Sequence, residues 1–243
     1  MESRELNFGP GNPDKPNVRF STELKGHAAP IEKVAFNPVK DAELCSVSSD
    51  GIVKFWDVRT KACVNEVKDL GATFSLAWAP DGESLVVGNK VRERGSGQTK
   101  KARCADSLQD DVIHTLSPTQ STPLASHQQP VQTNHIAFCW GGDKVFAPTG
   151  DGRTRILSYP DFEPLLHAPD PDPHGHLPEF ALKGHTSSCI SAEMSPTGRW
   201  LATGGGDSVI AMYDTSTWMC LRTLTNMVGP VKTISEFSHI LTS

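Results

Sequence analysis

His27, Ser46 and Asp50 are the residue types of a nucleophilic triad: a hydroxyl, an imidazole to take its proton and a carboxylate to orient the imidazole. The same chemistry recurs at His185, Thr203 and Asp207. The separations nearly match, since 50 − 27 gives 23 and 207 − 185 gives 22. In both copies the Asp precedes an aromatic residue, Trp56 or Tyr213, by 6 positions. Active sites seldom occur twice in one chain, whereas structural cross-links repeat with the unit they hold. The recurrence therefore favours a hydrogen-bonded cross-link over a triad. A carboxylate in a tight turn needs donors, and an imidazole N–H, backbone amides, a hydroxyl and an indole N–H can supply them. Tyr213 in place of Trp56 keeps an aromatic donor.

These residues sit in a repeated run of short β-type segments. Leu24-Lys25-Gly26-His27 is followed by apolar-rich stretches at 31–36, 44–51 and 52–57, and Leu182-Lys183-Gly184-His185 by equivalents at 190–194, 201–207 and 209–214. The stretches are rich in β-branched and aromatic residues and are separated by turns such as Asn37-Pro38, Asp81-Gly82 and Thr197-Gly198. Each copy reads as an antiparallel meander. Two weaker copies lie between them, one at 74–78 with 85–88, the other at 136–140, 145–149 and 155–158.

The spacing of the internal Asp residues, 50, 111, 151 and 207, gives gaps of 61, 40 and 56 where a repeat of about 42 is expected. Two inserts account for the excess. One, at 167–180, is Pro/Asp-rich over 170–178 and reads as a loop between outer and inner strands; its His174 and His176 lack a firm third ligand and read as solvated. The other, at 91–109, carries Arg92, Arg94, Lys100, Lys101 and Arg103 against Glu93 and Asp106. Removing its 19 residues restores the period, since 61 − 19 is 42, and joins Gly88-Asn89-Lys90 to Asp110-Asp111-Val112-Ile113 as one hairpin. It can be a basic loop, a nuclear-import patch around Lys100-Lys101-Ala102-Arg103, or a translated intron. The intron reading is preferred, because the segment interrupts a turn, begins with Val (a GT-type codon) and ends with Gln, compatible with CAG.

Composition narrows the function. A hydrophobic content of 37% with 21% charged residues is ordinary for a globular chain. No apolar run of about 18 residues exists and 1–16 is polar, which argues for an intracellular, membrane-free protein. The net charge of −5 argues against a general phosphate-binding surface, so RNA contact is expected to be indirect at most. The six cysteines form no C-x-x-C pair and read mostly as small buried hydrophobes. There is no H-E-x-x-H and no phosphate loop opening a helix; Gly204-Gly205-Gly206 falls at a strand end, where glycine permits a bulge or tight packing. Arg153, Arg155 and Lys54 alternate along strands and read as a solvated face. No catalytic residue, cofactor, metal or small-molecule substrate is expected.

The Gly-His and Trp-Asp boundaries and the period resemble the WD40 family. The resemblance implies an all-β fold, an incomplete WD40 β-propeller of about four blades from a seven-bladed family, with His27, Ser46, Asp50 and Trp56 forming one structural tetrad and His185, Thr203, Asp207 and Tyr213 another. Within that family, Asp57-Val58-Arg59-Thr60-Lys61-Ala62-Cys63, Trp78-Ala79-Pro80-Asp81-Gly82, Ile156-Leu157-Ser158-Tyr159-Pro160-Asp161 and, in fungal style, Asn17-Val18-Arg19-Phe20-Ser21-Thr22-Glu23-Leu24 resemble the THO-subunit group of propellers. Those belong to the assembly that couples transcription to mRNA packaging and export. The implied role is a nuclear, non-catalytic scaffold in mRNA processing and export whose partners are other THO complex subunits. The pattern Trp56-Asp57-Val58-Arg59 leaves open a second reading, a substrate receptor of a cullin-type ubiquitin ligase with Arg59 as a partner contact, or another WD40 adaptor.

The expected map is an irregular segment at 1–16, a partial propeller at 17–235 and an unassigned tail at 236–243, with 231–235 as the first strand of a further blade. A partial ring exposes apolar faces, so the chain expressed alone is expected to be unstable or to aggregate. A monomeric product that melts cooperatively would contradict this.

Overall fold

A computed structural model of the chain describes residues 23–90, 111–129, 131–165 and 180–235. All regular structure among them is β, in four antiparallel sheets whose strands follow one another in sequence order. Blade 1 comprises β1 (Ile31–Phe36), β2 (Glu43–Ser48), β3 (Val53–Asp57) and β4 (Ala62–Val67). Blade 2 comprises β5 (Ala72–Trp78), β6 (Leu85–Lys90), β7 (Asp111–Leu116) and β8 (Ala125–Gln129). Blade 3 holds β9 (Ala137–Phe138), β10 (Lys144–Pro148), β11 (Arg153–Ser158) and β12 (Ala181–Lys183). Blade 4 holds β13 (Cys189–Met194), β14 (Trp200–Gly205), β15 (Ile210–Asp214) and β16 (Cys220–Leu224).

The repeat seen in sequence is a repeat of register. Leu44 faces Trp56 across β2 and β3, and Leu201 faces Tyr213 across β14 and β15. The first strand of blades 1, 2 and 4 breaks register once, between Ile31 and Lys33, Thr73 and Ser75, and Cys189 and Ser191. An extra residue there bends the strand and raises its twist.

Sheets of this kind hide both faces only by stacking on a neighbour. Three apolar clusters fill the three seams between the four blades. Phe55 and Val47 of blade 1 pack with Leu76 and Leu85 of blade 2, Val86 and Ile113 of blade 2 with Val145 and Leu157 of blade 3, and Phe146 and Ile156 of blade 3 with Leu201 and Ala211 of blade 4. Polar ties pin each seam: Trp78 Nε1 donates to the Ala35 carbonyl at 3.1 Å, Arg155 Nη1 to Gln129 Oε1 at 2.6 Å, and Asn134 Nδ2 to the Cys189 carbonyl at 2.6 Å. Among the described residues no sheet pairs blade 4 to blade 1, and large apolar side chains of both blades stay exposed, with Phe36 61% and Met219 67% accessible. The fold is an incomplete propeller.

Several expectations need correction. Arg155 is buried in the seam between blades 2 and 3, because Gln129 and the seam itself accommodate its guanidinium; Lys54 is packed down onto Glu66 at 2.6 Å; only Arg153 of the three is exposed. Residues 231–235 form no strand, since no neighbouring strand follows among the described residues; Val231 instead donates its N–H to the Gly205 carbonyl at 3.0 Å. The Pro/Asp-rich segment lies between the third and outermost strands of blade 3, β11 and β12, and not between an outer and an inner strand. The segment at 91–109, most of that at 167–180 with His174 and His176, and the stretches 1–16 and 236–243 lie outside the described residues, although β6 and β7, on either side of the first, pair with Asn89 opposite Val112.

Candidate functional site

Blade 4 builds a continuous polar chain across its strands. His185 lies before β13, Thr203 on β14, Asp207 in the β14–β15 turn and Tyr213 on β15. His185 Nδ1 is 3.1 Å from Asp207 Oδ1, and Nε2 is 2.8 Å from Thr203 Oγ1. The carboxylate only accepts, so Nδ1 carries the hydrogen and Nε2 accepts from the Thr203 hydroxyl. Tyr213 is in turn bonded to Thr203, and burial pushes its phenol up to about 12, which keeps it a donor. Burial alone would raise Asp207, but the Thr186 amide at 2.8 Å, the His185 ring and the Val209 amide outweigh it and hold the carboxyl below its ordinary range.

Blade 1 assembles only part of the equivalent. Trp56 Nε1 donates to Ser46 Oγ at 2.8 Å, and the serine hydroxyl, 2.7 Å from His27 Nε2, donates onward. Nδ1 of His27 then bears the hydrogen, yet it is buried with no hydrogen-bond partner among the described residues. Asp50 is exposed and accepts from the Ile52 amide of its own turn at 3.2 Å. Burial first, then the Lys54 charge, lower the His27 pKa, with Asp50 and Glu66 opposing. Ser46 is buried and held by two partners, which leaves its oxygen no approach for a nucleophilic role.

A missing Cβ explains the difference. Built onto Gly205, a Cβ would stand 2.4 Å from both Asp207 Oδ1 and His185 Nδ1, so those groups meet only over a glycine. Blade 1 has Ser48 at the same distance before its aromatic residue, and its hydroxyl bonds the Pro30 carbonyl at 3.1 Å. The Gly-His glycine acts similarly: a Cβ on Gly184 would lie 2.0 Å from the Tyr213 hydroxyl, and one on Gly26 would lie 3.0 Å from Trp56 Cη2.

Arg59 is exposed just after β3, its backbone N–H held by Asp57 Oδ1 at 2.9 Å. It borders a surface cavity of about 300 Å³ with Lys40, Glu43 and Val64. No group of three or more His, Cys, Asp or Glu side chains is placed to hold a metal among the described residues. Sequence reading missed Lys33 and His135, whose side chains meet from positions 102 residues apart; a contact at that separation leaves no local pattern.

The family model described as WD domain, G-beta repeat matches residues 18–57 and 177–214, the stretches of the two His-led copies. THO complex subunit 3 of Arabidopsis thaliana is 30% identical over 213 residues, 88% of this chain and 57% of its own length. WD repeat-containing protein AAC3 of Dictyostelium discoideum is 26% identical over 90% of this chain and 40% of its own length. A ribosome biogenesis protein BOP1 homolog of Leishmania infantum is 34% identical over 58% of this chain and 17% of its own length. The chain thus spans 57% and 40% of the first two relatives. With its repeats, sheet order and seams, the chain carries WD40 repeats and folds as an incomplete β-propeller, and it is similar over 88% of its length to THO complex subunit 3.

Proposed function

We propose that the chain is a non-catalytic scaffold that acts in the nucleus, in mRNA processing and export, by holding other THO complex subunits against its blades. The supporting observation is a similarity to THO complex subunit 3 that runs across all four blades and not only over the two His-led copies. The polar chemistry of those copies is consumed internally, which leaves surface shape as the means of action: broad sheet flanks and exposed apolar side chains. Affinity purification of the tagged chain from cells, with identification of what co-purifies, tests this. Recovery of THO components is the expected result; their absence overturns it.

The exposed Arg59 beside a concave surface favours one rival, docking on a cullin-ligase adaptor. The same purification separates the two, since that reading requires ligase adaptors in the eluate and their loss on Arg59→Ala.

A further inference from the structure

A hydroxyl followed by proline occurs three times in the sequence, at Ser117-Pro118, Thr122-Pro123 and Ser195-Pro196. Two of the three fall in one loop, which joins β7 of blade 2 to its outermost strand β8. The structure separates them by access. Ser195 is buried; its oxygen accepts the Trp200 N–H at 3.0 Å and lies 3.2 Å from the Thr197 hydroxyl. Ser117 is half-buried; its oxygen accepts the Thr119 N–H at 3.3 Å and lies 2.9 Å from the Thr119 hydroxyl. Thr122 is exposed, and its hydroxyl bonds no group among the described residues.

We propose that Thr122 is a phosphorylation site for a kinase that selects proline after the acceptor, and that the modification loosens the β7–β8 loop from blade 1. Pro123 disfavours the helical region for the residue before it, which suits the extended form in which a kinase cleft takes its substrate. No charged side chain lies between Thr115 and Ser126, so the segment itself offers nothing acidic against an incoming triphosphate. The loop is tied to blade 1 by one residue, Asn65 of β4, whose hydrogen-bonding capacity is fully used. Its Nδ2 donates to the Pro118 carbonyl at 3.0 Å and the Gln120 carbonyl at 2.7 Å. Its Oδ1 accepts from the Ser121 hydroxyl at 2.7 Å and from the Glu66 N–H at 2.9 Å. A phosphate on Thr122 sets a charge of about −1.5 to −2 one residue from the Ser121 bond, with no cation in the segment to receive it.

In the step itself the Thr122 oxygen attacks the γ-phosphorus of a nucleoside triphosphate. The new O–P bond forms as the bond from that phosphorus to the bridging oxygen breaks, the nucleoside diphosphate leaves, and the hydroxyl proton passes to the kinase's base. The phosphate's best partner is then water, and the loop gains hydration by moving away from the carbonyl oxygens gathered at Asn65.

The test is incubation of the full chain with a proline-directed kinase and ATP, with each phosphate located by mass spectrometry. A peptide of residues 113–127 run alongside measures the kinase's preference for the bare sequence. Thr122 in the chain is expected to be labelled within about tenfold of its rate in the peptide, and Ser195, which needs local opening, at least about tenfold more slowly than Thr122. Thr122→Val, which keeps the shape but not the hydroxyl, should remove most of the loop's label. A chain unlabelled at Thr122, whether or not the peptide is labelled, overturns the acceptor role, and so does labelling of Ser117 or Ser195 as fast as Thr122. On phosphorylation the Gln120 and Leu124 amides, bonded to the Ser117 and Thr115 carbonyls, should exchange about fivefold faster, as they should in unmodified Asn65→Ala. Unchanged exchange in the phosphorylated chain overturns the loosening, and that measurement decides the point if Asn65→Ala fails to fold.

Discussion

Blades 1 and 4 carry the same residue types in the same order, yet they close different circuits. In blade 4 four side chains connect Tyr213 to Asp207 through Thr203 and His185, and the chain ends on a carboxylate that two backbone amides also hold. In blade 1 the chain runs from Trp56 through Ser46 to His27 and stops at a buried N–H with nothing to receive it. Asp50, the residue that would complete it, faces solvent. The deciding feature is neither the His nor the Asp but the atom absent at Gly205 and present at Ser48. Whether two polar groups meet depends on the space between them as much as on their chemistry.

The largest test of that contrast is removal of each histidine. His185→Ala opens a cavity and strands an acceptor on Asp207 and a donor on Thr203, for a cost of about 3 kcal/mol. His27→Ala removes one bond together with an N–H that is already unsatisfied, for about 1 to 2 kcal/mol. Blade-resolved hydrogen exchange reads the sheets separately. Amides of β14 and β15 should exchange roughly 100-fold faster in His185→Ala, and those of β2 and β3 roughly tenfold faster in His27→Ala. Equal effects would break the comparison.

Next in size is the exchange of the deciding residue. Gly205→Ser places a Cβ against His185 and Asp207, and should cost blade 4 about 2 kcal/mol by separating them. The exchange rate of β14 in that variant should fall between wild type and His185→Ala. If Gly205→Ser matches wild type, the missing Cβ is not what joins the two groups.

The parts of this fold legible in sequence are those fixed by neighbours along the chain. Asp50-Gly51 and Thr197-Gly198 mark hairpin turns, and the fixed interval from Asp to aromatic residue sets Leu44 opposite Trp56 and Leu201 opposite Tyr213. The pairing of β6 with β7 is also readable, once the basic segment between them is set aside. Contacts between blades are not readable in this way. Arg155 looks like a solvated strand position until Gln129 of the preceding blade closes over it, and Lys33 looks like any surface lysine until His135 arrives from two blades away. The polar chains stand between these cases: their His, hydroxyl and aromatic residues stand out in the sequence, whereas Asp50 stands out equally and does not join, and the identity of residues 48 and 205, which decides what meets, carries no periodic signal.

The smallest effect is a difference in pH response. His27 is held below its ordinary value of 6.5, so as pH falls past that value the unfolded chain takes a proton that the folded blade refuses. Stability is therefore present above about pH 6.5 and is lost as pH falls toward the lowered value. Asp207 has the same sign in a different window: its contribution is intact above its ordinary 3.8 and is lost only as pH drops through a still lower value. Near pH 5 blade 1 should thus have weakened through its histidine while the Asp207 contact of blade 4 persists. His114 and His135 are also lowered by burial and add to the slope of the whole chain, so the informative measurement is a difference. His27→Gln should flatten the pH dependence of exchange in β2 and β3 between about pH 6.5 and 5, and Asp207→Asn should leave the slope of β14 in that interval unchanged while raising its exchange throughout. A slope in blade 1 that survives His27→Gln would place the titrating group elsewhere, and would remove the orphaned imidazole as the physical distinction between the two blades.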